Sequence, residues 1–113
     1  MKVKAKRIAS EMARELSRII ALEVRNEVIK NITITGCEVT NDLSFAKFFY
    51  TYIGDFTKDY IESQIEISKP FLRKSLANSI NVRHTPQLLF VFDESVEYGT
   101  NIEKLIQKIH KEE

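Results

Sequence analysis

Arg7, Arg14, Arg18 and Arg25 are spaced by seven, four and seven residues. On a helix turning about 100° per residue, these positions fall within a band of about 40°. Each guanidinium is a planar fork that matches phosphate oxygens. At about 1.5 Å of rise per residue the row spans about 27 Å, long enough to track a nucleic-acid backbone. The plainer reading is a solvated helix face, with Glu11 and Glu15 as local partners.

A second group of cations surrounds Pro70. Lys69, Arg73 and Lys74 flank it, and Arg83 and His84 follow before the next apolar run. No acid occurs from Ser68 to Phe92, so these charges have no neutralising neighbour in sequence. A helix broken at Pro70 would expose backbone N–H groups at the start of its second half, which favours anions there. A plain packing kink with solvated neighbours explains the same residues.

Residues suited to catalysis are sparse. Gly36, Gly54 and Gly99 are too far apart for a phosphate-cradling loop. His84 and His110 stand apart, with no clustered cysteine or acid to complete a metal site. Cys37 is the one cysteine, which excludes an internal disulfide. It lies in a β-type stretch, where a free cysteine is usually a small apolar residue, and no base is identifiable beside it. Asp93 and Glu94 open a helical pattern and suit its N-terminus. Paired-carboxylate chemistry would need a cleft that no pattern suggests. No enzyme, cofactor or metal is expected.

These residues need elements to hold them. Ile8, Met12, Leu16 and Ile19 give a helical stripe opposite the arginines, widened by Ala5, Ala9 and Ala13, predicting a helix to about Asn26. Residues 32–39 alternate and are rich in β-branched types, so they read as a strand. Residues 40–44 are turn chemistry, and the aromatic run from Phe45 to Ile53 is a second strand, making an antiparallel hairpin. Its Phe45, Phe48, Phe49, Tyr50 and Tyr52 suit either base stacking or the core, the core being the commoner use. Thr57 caps a helix with Tyr60, Ile61 and Ile65, and the pattern resumes at Phe71, Leu72 and Leu76. Pro70 predicts two shorter helices with a sharp kink near Ser68–Pro70. Residues 87–92 form a third strand whose apolar run implies burial on both faces. A last helix carries Ile102, Leu105, Ile106 and Ile109. The fold class is α+β, a three-stranded sheet with helices on one face and the strand order open.

The chain of 113 residues suits one domain over residues 1–113. No apolar run approaches the roughly 18 residues of a membrane span, and the charged start is unlike a signal peptide, so the cytoplasm is the default. The formal charge of +1 argues at first against a nucleic-acid binder. It conceals four blocks. Residues 1–30 carry +4, including Lys2, Lys4 and Lys6; residues 31–67 carry −4; residues 68–92 carry +4; residues 93–113 carry −3. Such asymmetry can build a local electrostatic footprint.

Two stretches resemble a known family. Residues 32–47 are similar to the first hairpin of ribosome-binding factor A, with its Asp-Leu-x-x-Ala core at Asp42, Leu43 and Ala46. The pattern Arg83-x-x-Pro86-x-Leu88-x-Phe90-x-x-Asp93-x-Ser95, then Gly99 and Ile102, resembles the family's C-terminal signature. The likeness covers about residues 7–106 in the expected order. It implies a type II KH domain, αββααβ, that binds the immature small (30S) ribosomal subunit and its 16S rRNA. It further implies a role in late maturation and rRNA end processing, a link to growth in the cold, no cofactor and no catalysis. The family's usual Ala-x-Gly at the helix kink is replaced here by Ser68-Lys69-Pro70, and Pro70 has no N–H to offer RNA.

The expected function is therefore a monomeric, non-catalytic RNA-binding factor. Phosphate contacts are assigned to Arg7, Arg14, Arg18, Arg25, Lys69, Arg73, Lys74 and Arg83. A ribosome-assembly GTPase is a candidate further partner, and no membrane is involved. The alternative is a protein–protein adaptor using the aromatic second strand or the acidic last helix.

Overall fold

The apolar stripe of the first twenty residues becomes α1 (Val3–Leu22), the first element of a computed structural model that describes residues 3–95. Ile8, Met12, Leu16 and Ile19 are all buried, with Ala5 and Ala9 beside them. The helix ends at Leu22, short of the expected Asn26. Two observations give the reason. Val24 must turn into the core, where it is buried. Asn26 caps a short second helix, α2 (Glu27–Lys30), its Oδ1 accepting from the N–H groups of Val28 and Ile29 at 2.9 and 3.2 Å. Asparagine competes well for that role and poorly for a helix interior.

The hairpin forms as expected. β1 (Ile32–Val39) pairs antiparallel with β2 (Phe45–Tyr52), with a bulge between Ile34 and Gly36. In the turn, Asp42 Oδ1 accepts from the Ser44 N–H at 3.1 Å and from the Ser44 and Thr40 hydroxyls at 2.7 and 2.8 Å. These bonds, the Ser44 hydroxyl first, pull the Asp42 carboxyl down to about 2. They also hold Leu43 at a φ of 62°, a left-handed conformation unfavourable for leucine.

α3 (Lys58–Ser79) starts at Thr57, whose hydroxyl accepts from the Tyr60 N–H at 3.2 Å. It runs unbroken through Pro70, so the expected pair of helices is one helix. The phase of its stripe explains this. Ile61, Ile65, Leu72 and Leu76 are buried, and at about 100° per residue they share a band of about 60°. Breaking the helix would take half of them off the core. Pro70 lies on the exposed side, where water can serve the Glu66 carbonyl that proline leaves without an N–H partner. Tyr60 and Phe71, expected on the apolar stripe, are exposed.

β3 (Gln87–Phe92) runs parallel to β2, giving the order β1-β2-β3. It is an edge strand, which corrects the expected burial on both faces. Leu88 is buried, while Leu89 and Val91 are each 40 % exposed. The helices cover only the face bearing Ala46, Phe48, Tyr50 and Leu88, which join the helix stripes in one core. On that face Phe48 stacks on Phe90 at 5.5 Å, and Tyr50 meets Phe92 edge-on at 5.9 Å. Asp93 Oδ1 accepts from the Ser95 N–H at 3.1 Å, as suits a helix start. The last helix with Ile102, Leu105, Ile106 and Ile109, along with Lys2, Gly99 and His110, lies outside the described residues.

Candidate nucleic-acid interface

The expected row of four arginines is reduced to two open ones. Arg7 and Arg14 are exposed on α1 and make no ion pair among the described residues. Arg18 is already partnered, although still exposed. Its Nε bonds the Glu15 carboxylate at 3.1 Å, and its Nη2 meets Glu23 Oε2 at 3.1 Å and Ser79 Oγ at 3.3 Å. The Glu15 hydrogen bond raises its pKa above the ordinary value. Arg18 is thus a clamp between α1 and the last residue of α3, and the two basic blocks of the chain meet there. Arg25 lies past the end of α1, so it leaves the row. It lines a separate groove of about 670 Å³ with Val24, Asn26, Ile67, Ser68 and Phe71.

The second cluster is gathered more closely. Arg73, Lys74, Arg83, His84 and Pro70 line one groove of about 430 Å³. Arg73 builds it. Its Nη2 donates to the Thr85 carbonyl at 2.8 Å and its Nε to the Pro86 carbonyl at 3.2 Å. The guanidinium therefore pins the loop before β3 against α3, and holds Arg83 and His84 opposite Lys74. Lys74 and Arg83 are exposed and pair with no carboxylate among the described residues. Lys69 is different: its Nζ is 2.6 Å from Glu66 Oε1. The single continuous helix also removes the second N-terminus that was expected to offer N–H groups to an anion.

One face of α3 carries both signs. Asp59, Glu62, Glu66, Lys69 and Arg73 share a band of about 80° at about 100° per residue. The band is acidic before the Glu66–Lys69 pair and basic after it. A polyanion is attracted to the second half and repelled by the first. Two helices broken at Pro70, as the sequence predicts, would not set these residues on one face.

The sheet aromatics divide by face. Phe48 and Tyr50 are buried and unavailable for stacking on bases. Phe45 is exposed on the opposite face, where Lys47 Nζ sits 5.7 Å from the centre of the half-buried Phe49 ring. Cys37 lies half-buried in β1, and burial, aided by Glu38, pushes its thiol up to about 12. That is the opposite of an activated nucleophile. Among the described residues no group of three or more His, Cys, Asp or Glu could hold a metal ion. No helix among them is long and apolar enough to cross a membrane.

The family model of ribosome-binding factor A matches residues 4–106. A ribosome-binding factor A from Staphylococcus carnosus is 40% identical over 113 residues, covering 99% of this chain and 98% of the relative. Its counterpart from Nitrosomonas europaea is 41% identical over 103 residues, covering 90% and 88%. The crystal structure of ribosome-binding factor A from Thermus thermophilus superposes with a TM-score of 0.70 at 15% identity, covering 78% of this chain and 93% of that one. Coordinates of the Thermus thermophilus factor fitted into a cryo-EM map of a 30S complex give a TM-score of 0.62 at 17% identity, covering 80% and 96%. With a family match across nearly the whole sequence and the same architecture in those structures, this chain belongs to the ribosome-binding factor A family.

Proposed function

We propose that this protein is a non-catalytic assembly factor that binds the small ribosomal subunit through its rRNA. The observation that carries the reading is the groove in which Arg73 fixes the loop of Arg83 and His84 opposite Lys74. It is a concave site whose Lys74 and Arg83 have no carboxylate partner among the described residues. The relative whose coordinates were fitted into a 30S complex supports the same partner. Such a factor acts by occupancy. It holds an rRNA conformation during late maturation and rRNA end processing, then leaves. It uses no cofactor and works in the cytoplasm, where subunits are assembled.

The roles of the eight expected contacts divide accordingly. Arg7, Arg14, Lys74 and Arg83 contact phosphate directly. Arg25 does so from its separate groove. Arg18, Lys69 and Arg73 serve mainly to position their surroundings. The test is co-sedimentation with immature small subunits. Replacing Arg14, Lys74 and Arg83 together by Glu should abolish it, with thermal unfolding unchanged. Retained co-sedimentation by that folded triple variant would overturn the site.

A second reading, a protein adaptor, draws on exposed Phe45, Leu89 and Val91 on the open sheet face. It predicts binding that barely responds to salt, whereas phosphate contacts weaken steeply as salt rises.

A further inference from the structure

We propose that the groove between the first half of α3 and β3 is a docking site for an arginine-bearing segment of a protein partner. This site is distinct from the basic groove and does not depend on RNA contact. It has a volume of about 550 Å³. Asp59, Glu62, Ser63 and Glu66 of α3 form one wall, with Tyr50 and Phe90 across from them.

Three observations define the guest. First, the charge is negative and only partly compensated. Glu66 is taken by Lys69, but Asp59 and Glu62 are exposed and make no ion pair among the described residues. Second, Tyr50 is only 1 % exposed, yet its hydroxyl has no hydrogen-bond partner among the described residues. Among the described residues no fully buried side-chain oxygen or nitrogen lacks a partner, so this hydroxyl keeps a little accessible surface, and the groove that Tyr50 lines is the opening beside it. A buried phenol normally finds a partner; here the partner is left for a guest. Burial, followed by the Glu62 charge, raises the Tyr50 pKa, so the hydroxyl stays protonated and can accept from a cationic donor. Third, the rings at this end of the sheet already receive a cation: Lys58 Nζ lies 5.6 Å from the centre of the Phe92 ring.

A guanidinium meets all three conditions. It is planar and stacks on aromatic surfaces, and its five donors can serve two carboxylates and a phenol oxygen together. Among the described residues no acidic cluster is arranged to hold a metal ion, which sets a divalent cation aside. The same negative charge turns away an RNA backbone.

The experiment uses the full chain and a fluorescein-labelled peptide of alternating arginine and glycine. Anisotropy should show saturable binding, and amide shifts should centre on residues 59–66 and Phe90. Asp59→Asn with Glu62→Gln should weaken binding about tenfold, the loss expected for charge-assisted hydrogen bonds. Tyr50→Phe should weaken it several-fold while thermal unfolding is unchanged, since only an unpartnered hydroxyl is removed. Glu11→Gln with Glu38→Gln makes the same change in net charge elsewhere and should leave binding intact. Lys74→Glu with Arg83→Glu should retain peptide binding while losing RNA, which separates this site from the one above. An equal loss in the Glu11/Glu38 variant would overturn the site in favour of general charge attraction. Full binding by Tyr50→Phe, or spermidine moving the same amides at equal affinity, would also overturn it.

Discussion

A guanidinium carries five donors, and its role depends on how many the fold has already engaged. Arg73 spends two on the Thr85 and Pro86 carbonyls, so Arg73→Ala should lower stability by about 1–2 kcal/mol in urea unfolding. Lys74→Ala, with no such bonds, should stay within about 0.5 kcal/mol. Equal stability of the two variants would refute the positioning role. None of this was legible in sequence. Arg18 reads as an exposed arginine with Glu15 beside it, but its third partner, Ser79, is 61 residues away. Arg73 likewise finds its carbonyls 12 and 13 residues on, across a loop. Local spacing shows which cations share a helix face. It does not show which of them are already occupied. The reading of Cys37 as a small apolar residue, by contrast, needed only its place in a β-branched run. Its thiol is pushed up to about 12 from 9.0. The thiol form is therefore favoured in the folded state, and the associated stability is present below pH 9 and lost as pH rises toward 12. Ellman's reagent at about pH 8, just below the ordinary thiol pKa, should react with Cys37 only after denaturant is added. Rapid reaction of the native protein would contradict its burial.

At the scale of elements, periodicity was a better guide than breakers. The α1 face, the hairpin and the third strand all follow from spacing of three and four or of two. The helix pair expected at Pro70 does not form, because the apolar stripe keeps its phase across the proline. Ile61, Ile65, Leu72 and Leu76 bury together only if the helix continues. The proline is then a local defect in an element that tertiary packing sustains. Pro70→Ala should restore the missing bond to Glu66 and raise stability by about 1–2 kcal/mol, after allowing for the looser unfolded chain. An unchanged or lower midpoint would argue against an unbroken α3. The C-terminal boundary of α1 failed for a related reason. Asn26, expected at the end of one helix, starts another, as its residue type suits. Asn26→Ala should cost about 1 kcal/mol, measured by thermal unfolding, through loss of the α2 cap. Burial of β3 on both faces was over-read from composition. An apolar edge strand and an apolar central strand look alike in sequence, and only the strand order separates them.

Over the whole molecule the near-neutral total of +1 is a poor summary. Sign changes along a single face of α3, with carboxylates lining one groove and cations lining a separate one. The proposed RNA contact is therefore confined to one end of this face. The logarithm of the binding constant should fall linearly with the logarithm of salt. Removing Lys74 or Arg83 should each reduce that slope by about 0.7–0.9 if each neutralises one phosphate. A slope unaffected by either change would place the RNA elsewhere. Charge blocks made part of this visible in the sequence, since residues 31–67 and 68–92 differ in sign. That Asp59, Glu62 and Glu66 of one block and Lys69 and Arg73 of the other share one face of a single helix required the fold.

The parallel pairing of β2 with β3 has a consequence for how the protein comes into being. A hairpin can close as soon as its second strand leaves the ribosome, but a parallel partner must wait for the crossover helix between them. β1 and β2 are joined by a short turn, whereas β3 begins only at Gln87. During synthesis α1 and the hairpin therefore have the chance to associate first. The groove of Lys74, Arg83 and His84 cannot exist until Thr85 and Pro86 have been added and caught by Arg73. A nascent chain halted before that point carries its early arginines but no cleft, so the proposed RNA site is among the last features of this protein to form as it is made.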